Sequence, residues 1–518
     1  MKYGVFSQNE FIYPDTYLQS GRDSIVLNSA KGGICYSQIV LKSNGTVRLK
    51  WQGNLAAPEC FRILPVYVAR NTDLTFNGKN YLLPEGAFAS WNTRKAPFWV
   101  YEPLEPMSDT LVPSEQLSDA ICLKFDTNVT AGEYSGTLTL TDNDGATVIP
   151  VSLKVYPVEI PKKETLRHTN WFDVGRMLPH LDCEPFSEAH WEQIKKCGKL
   201  MRDARQTDFI VQPNLFIHTT DEQGNNHFDF THAKRIIEMY LSMGFTHIEG
   251  PILFGRENWH CSDILVNIDD QRVSVFSEKG NKYARDFFTA WYEFICENGW
   301  KDITLQHVCD EPGEHCLTEY TACSELVRGC MPGITIIEAL ANPTFAGATD
   351  ILVPKANRYL EHKEEFDKIK AERDVWFYTC CDPGGEYLNR ILDMELIRVR
   401  YMHWANYIYG LKGYLHWGFN QYVFSKMFKH CDKSHSGDGP CPAGDTHVAY
   451  IKDNKVIGSI RLLAMRAGCE DYELLNILAK KDKALADKMA NNVIRSFTDY
   501  DKNTENFEDN YKKLLELL

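Results

Sequence analysis

The run ITLQHVCDEPG at residues 303–313 leads shortly into TEYTACSELVRGC at 318–330. An apolar segment of strand length followed by an amphipathic helical one is a βα unit, and the chain repeats it. Upstream lie LRHTNWF (166–172) with helix SEAHWEQIKKCGKLMRDA, DFIVQPN (208–214) with THAKRIIEMYLSM, and HIEGPILF (247–254) with GNKYARDFFTAWYEFICENG. Downstream lie TIIEALANP (335–343), DILVPKAN (350–357) with EEFDKIKAE, VWFYTCCDP (375–383) with MELIRVRYMHWANYIYG, and GYLHWGFNQY (413–422). Only the fifth unit lacks a clear helix, offering Thr344 to Thr349 in its place. Eight strands in this alternation predict a (β/α)8 TIM-type barrel over residues 161–430.

Before residue 160 the period is different. SQIVLKSNGTVRLKWQG and EYSGTLTLTDNDGATVIPVSLKVYPVEI alternate as short strands, with Asn143-Asp144-Gly145 placed as a hairpin turn would be. This predicts an antiparallel β-sandwich over residues 1–160, ending at the polar, proline-marked junction Pro161-Lys162-Lys163. Residues 431–518 read as a C-terminal extension packed on the barrel: the Gly/Pro-rich loop SHSGDGPCPAGDTH, the helix SIRLLAMRAGCEDYELLNIL and a charged tail expected to form a solvated outer helix.

Composition fits a multidomain globular protein. The chain has 518 residues, more than one core normally supports. Hydrophobic residues at 44% and charged residues at 24% argue against disorder. A formal charge of -14, with no basic stripe, disfavours nucleic acid and fits an uncharged or cationic ligand. The 11 Trp and 25 Tyr supply flat rings on which sugars stack, although most serve as core. The 16 Cys are scattered, with no CxxC pair and no paired Cys/His spacing, so reduced thiols are expected and no metal or other cofactor. No apolar run is long enough to span a bilayer. MKYGVFSQNEFIYP lacks a signal-peptide h-region, and a cytoplasmic protein is expected; a homo-oligomer is left open.

Active sites of such barrels lie at the C-terminal ends of the strands. Strand four ends in His307-Val308-Cys309-Asp310-Glu311-Pro312-Gly313, which puts two adjacent acids there. Neighbours within a strand point to opposite faces, so the chain must already be turning; Pro312 and Gly313 supply the turn, and proline is expected to hold Glu311 extended. Glycoside hydrolysis needs one carboxylic acid to protonate the departing oxygen and a second group to stabilise the cationic centre. Glu311 fits the first role if apolar neighbours raise its pKa. For the second, Glu249 or Glu338 would be a nucleophile, or Asp310 would orient a substrate's own 2-acetamido group. Trp171, Arg256, Trp259, His307, Asn342, Tyr378, Trp417 and Asn420 crowd the same strand ends as candidate sugar contacts.

These residues resemble glycoside hydrolase family 123, the β-N-acetylgalactosaminidases. The likeness rests on AGEYSGTLTLT and VSLKVYPVEIPK before the barrel, Asp310-Glu311-Pro312, GYLHWGFNQY, and the terminal helix with Ser459-Ile460-Arg461, Arg466, Gly468 and Glu470-Asp471-Tyr472-Glu473. It departs at Ala467 and Cys469. The resemblance implies retaining, substrate-assisted removal of a terminal β-linked N-acetylgalactosamine. Asp310 would then polarise the acetamido group, Glu311 would act as general acid and then base, Tyr378 would bond the acetamido carbonyl, and Trp171 and Trp417 would wall the sugar. The alternatives are a conventional retaining glycosidase using Glu338 or Glu249, and a glycan-binding protein without catalysis.

Overall fold

The computed structural model describes residues 1–74, 81–269, 271–422, 427–429, 431–432 and 440–518. The beginning of the expected Gly/Pro-rich loop, residues 434–439, lies outside the described residues. By their contacts the residues fall into two compact units: Met1–Thr165 with Cys381–Gly410 and Asn420–Leu518, and Leu166–Cys380 with Leu411–Phe419. The chain is therefore multidomain, with a β-rich N-terminal region.

The first unit holds two large sheets. One has seven strands in the order Lys2–Phe6, Tyr36–Lys42, Asp119–Lys124, Glu59–Val68, Phe98–Pro106, Lys455–Ser459 and Tyr450–Lys452. The other has five, in the order Ile25–Lys31, Gly145–Glu159, Gly132–Asp142, Val47–Gly53 and Thr110–Leu111. The hairpin at Asn143-Asp144 is present, pairing Gly145 with Asp142. Alternating apolar residues from both sheets, among them Val5, Ile39, Leu123, Leu138, Ile149 and Leu153, meet in one buried cluster.

Strands from residues 450–459 complete the larger sheet, so its extent is not confined to residues 1–160. Gly458 and Ser459 pair with Leu104 and Pro103 and occupy an edge that Phe98–Pro106 would otherwise leave open. The tail also differs from a solvated outer helix. It forms two helices, Lys483–Asn491 and Thr504–Leu517, and the second buries Phe507, Tyr511, Leu514 and Leu515.

The second unit contains the eight expected strands: β1 (Arg167–Asn170), β2 (Asp208–Ile210), β3 (His247–Glu249), β4 (Thr304–Gln306), β5 (Thr335–Leu340), β6 (Ile351–Pro354), β7 (Phe377–Tyr378) and β8 (Gly413–His416). They form two parallel arcs, β2-β3-β4-β5-β6 and β1-β8-β7. Backbone contacts join the arcs at both edges. Leu352 bridges Val375 and Lys355 bridges Tyr378 on one side, while Thr207 N donates to His168 O at 2.9 Å on the other.

Helices α1 (Glu188–Asp203), α2 (Thr231–Ser242), α3 (Glu278–Glu297) and α4 (Leu317–Cys330) lie between the strands as expected. Ser187 and Ser277 cap α1 and α3 by accepting from His190 N and Gly280 N. After β5 there is only a short 3-10 turn, Pro343–Gly347. After β6 the single expected helix is two, Ala356–Glu361 and Lys363–Lys370.

Candidate active site

The acid pair lies where β4 has already ended. Gln306 is the last residue paired in the β4 ladder, Cys309 makes one further bridge to Phe254, and Glu311 has φ +46°, on the left-handed side that only a few per cent of non-glycine residues adopt. This corrects the expectation that Pro312 would keep Glu311 extended. The cause is visible in the main chain, because the carbonyls of Asp310 and Glu311 both accept from Arg256 Nη2, at 3.1 and 2.7 Å. Consecutive carbonyls of a strand point to opposite sides and cannot share one nitrogen. Such a conformation costs about 1–3 kcal/mol and persists where its surroundings hold it.

Glu311 is half-buried. Its Oε1 accepts a short hydrogen bond from the Tyr378 hydroxyl and lies 3.4 Å from Lys355 Nζ. A phenol and an ammonium, rather than the apolar surround anticipated from sequence, thus meet this oxygen. Asp310 is not wholly shielded from solvent, yet loss of hydration pushes its carboxyl up to about 8. The charges of Glu311 and Glu338 add to that rise, while His307 and Arg256 act against it.

Behind the pair stand three fully buried ionisable groups. His307 Nε2 is 2.8 Å from Glu249 Oε2, and its Nδ1 is 3.1 Å from Glu338 Oε1. Burial alone would push the imidazole down, but the two hydrogen bonds and the charges of both glutamates more than offset it and place His307 at about 10. Glu338 Oε2 also accepts from Val308 N at 2.8 Å and Cys309 N at 2.9 Å. Trp171 Nε1 donates to Glu249 Oε2 at 2.9 Å.

The other sequence candidates divide. Tyr378 is brought to Glu311, and Arg256 reaches the pair through its backbone, so its observed contacts are positional. Arg256 also lies over the Trp259 ring, 5.3 Å from its centroid, and Trp259 remains 47% exposed. Trp417 is half-buried just past β8. His307 is enclosed by the two glutamates, which removes it from the set of direct sugar contacts. Trp171 is only 7% exposed. Asn342 caps the turn after β5 and donates to Glu314. Asn420 belongs to the first unit, where it bridges His447. Lys355 escaped the sequence reading although it follows β6 directly, the position that singled out the acids.

The enzyme class comes from a comparison with known families. The description "Glycoside hydrolase 123, catalytic domain" matches residues 171–478. The chain belongs to glycoside hydrolase family 123. A family 123 glycoside hydrolase from Clostridium perfringens, whose structural study concerns glycolipid glycan hydrolysis, shares its fold. The TM-score is 0.75 at 13% identity over 99% of this chain and 97% of that one. A Dictyoglomus thermophilum β-D-glucuronidase gives a TM-score of 0.36 at 10% identity, covering 90% of this chain and 97% of its own. For a Parabacteroides merdae β-glucuronidase the values are 0.29 and 8%, covering 76% and 46%. No curated protein matches the chain. The enzyme is a glycosidase, and its substrates are glycans. Among the described residues no helix is long and apolar enough to cross a membrane.

Proposed function

We propose that the enzyme removes terminal β-linked N-acetylgalactosamine with retention, using the substrate's acetamido group as nucleophile. In this reading the two parallel arcs close as a (β/α)8 barrel and the two sheets of the first unit pack as a β-sandwich. The observation that carries the mechanism is the turn at Asp310 and Glu311, with Glu249 and Glu338 both withdrawn from solvent into hydrogen bonds with His307. A carboxylate nucleophile has to reach the anomeric carbon, and neither buried glutamate is free to do so.

The pair then works as follows. The acetamido N–H donates to the Asp310 carboxylate, which turns the acetamido oxygen toward the anomeric carbon. That oxygen attacks as Glu311 transfers its proton to the departing glycosidic oxygen, leaving a cyclic oxazoline-type intermediate. Glu311, now a carboxylate, takes a proton from the water that attacks the same carbon. The acetamido oxygen leaves, and the β configuration is restored. Tyr378 and Lys355 hold the Glu311 oxygen in place through both steps.

Aryl β-glycosides of N-acetylgalactosamine, N-acetylglucosamine and galactose test this directly. The N-acetylgalactosaminide should be cleaved fastest, with the β anomer released first in proton NMR, and Glu311→Gln should abolish turnover. Equal cleavage of the plain galactoside would refute the acetamido mechanism. If Glu311→Gln leaves turnover intact, the acid pair is misassigned.

A further inference from the structure

We propose that Glu249, His307 and Glu338 are positioning residues that draw the chain inward at Val308 and Cys309 and thereby set the turn carrying Asp310 and Glu311. The proposal rests on the acid-pair reading above. The three come from neighbouring strands: Glu249 ends β3, His307 follows β4, and Glu338 lies in β5. All are fully buried. Replacing buried ion pairs by well-packed apolar side chains is often neutral or stabilising, so stability alone does not account for such a cluster in a core. Glu249 Oε1 is moreover buried without a hydrogen-bond partner among the described residues.

The geometry supplies the reason. One oxygen, Glu338 Oε2, accepts from two consecutive backbone N–H groups, those of Val308 and Cys309. Successive N–H groups of a strand diverge, so this bond pair bends the chain immediately before Asp310. Arg256 completes the bend from the other side through the carbonyls of Asp310 and Glu311. His307, fixed at both nitrogens, keeps Glu338 in place, and Trp171 fixes Glu249 behind it. Tyr320, from α4, adds a hydroxyl 3.4 Å from Glu338 Oε2.

The same cluster sets charge. Two carboxylates against one imidazolium leave a net negative charge beneath the pair. Glu338 acts on Asp310 more strongly than His307 does, and Glu311 and Arg256 are the other charged groups acting on it. Glu338 therefore helps Asp310 keep a proton.

Glu338→Gln keeps the volume but removes the charge and one acceptor oxygen. Its kcat on the aryl N-acetylgalactosaminide should fall about 10- to 100-fold, with KM changed less than about 3-fold. The acid limb of kcat/KM, set by ionisation of Asp310, should move to lower pH by at least about half a unit. Loss of thermal stability with a wild-type pH profile and kcat would overturn the proposal.

A measurement on the wild-type enzyme covers the case in which the variant does not fold. At about pH 9 ordinary histidines are neutral, so 15N spectra should show one imidazole protonated on both nitrogens; its absence would overturn the proposal. The two readings separate cleanly. An inactive Glu311→Gln with a wild-type-like Glu338→Gln refutes the positioning role alone, whereas an active Glu311→Gln refutes both.

Discussion

At the scale of single residues, Asp310 holds its proton because of the surroundings that desolvate it. Asp310 stays protonated up to about pH 8, raised by desolvation and then by Glu311 and Glu338. The mechanism needs Asp310 as a carboxylate to accept from the acetamido N–H, and below that pH the carboxylate is lost to protonation. The acid limb of kcat/KM should therefore lie near pH 8, with activity falling as pH drops through it. Arg256→Ala removes a cation that opposes this rise and also frees two carbonyls. Its limb should move to higher pH, opposite in sign to Glu338→Gln, while kcat drops about 10- to 100-fold. An unmoved limb would mean that the Arg256 charge does not reach the pair. That Asp310, Glu311 and Tyr378 lie at neighbouring strand ends was legible in the sequence, because the alternation of strands and helices fixes where each strand stops. The surroundings of His307 were not, since where a side chain points beyond the end of a strand depends on groups from other strands, here Glu249 and Glu338. The positive φ of Glu311 was hidden for the same reason, because Arg256 lies far upstream in sequence.

At the scale of elements, every expected strand of the second unit appears, because apolar runs alternating with amphipathic helices leave few other arrangements. The residues of the helix Ile460–Lys481 that carried the resemblance are bound into the core of the first unit. Arg461 is buried and donates to Glu102 Oε1 at 2.8 Å. Glu470 accepts from Ile34 N, Asp471 from Arg400 and Trp404, and Glu473 from Thr165 N. These bonds join segments 67 to 436 residues apart, which periodicity does not report. Gly468 shows what the packing demands, since a Cβ there would lie 2.5 Å from Arg400 O on the helix Ile397–Tyr409. Backbone cannot yield as a flexible side chain would. Gly468→Ala should cost about 1–3 kcal/mol or more, read as a lowered urea midpoint. An unchanged midpoint would show that the two helices separate freely.

At the scale of the whole molecule, the formal charge of -14 sets a field that a neutral sugar does not feel and an anionic one does. Below about pH 8, where Asp310 is protonated, the site sets Glu311, Glu249 and Glu338 against Arg256, Lys355 and the His307 imidazolium, so the long-range field comes from the net charge of the molecule. Turnover of an uncharged aryl N-acetylgalactosaminide should therefore be nearly independent of ionic strength, with kcat/KM changing less than about 2-fold from 0.05 to 0.5 M salt, a range over which the Debye length shrinks severalfold. A glycan carrying a carboxylate or sulfate beside the cleaved residue should be a poorer substrate at low salt and improve as salt screens the repulsion. The comparison is internal, since general salt effects on stability act on both substrates alike and only the long-range field separates them. If the neutral substrate responds as steeply as the anionic one, the charge is not steering the choice of glycan. If the anionic substrate is preferred at low salt, the cations at Lys355 and Arg256 outweigh the acids, and the site selects charged sugars.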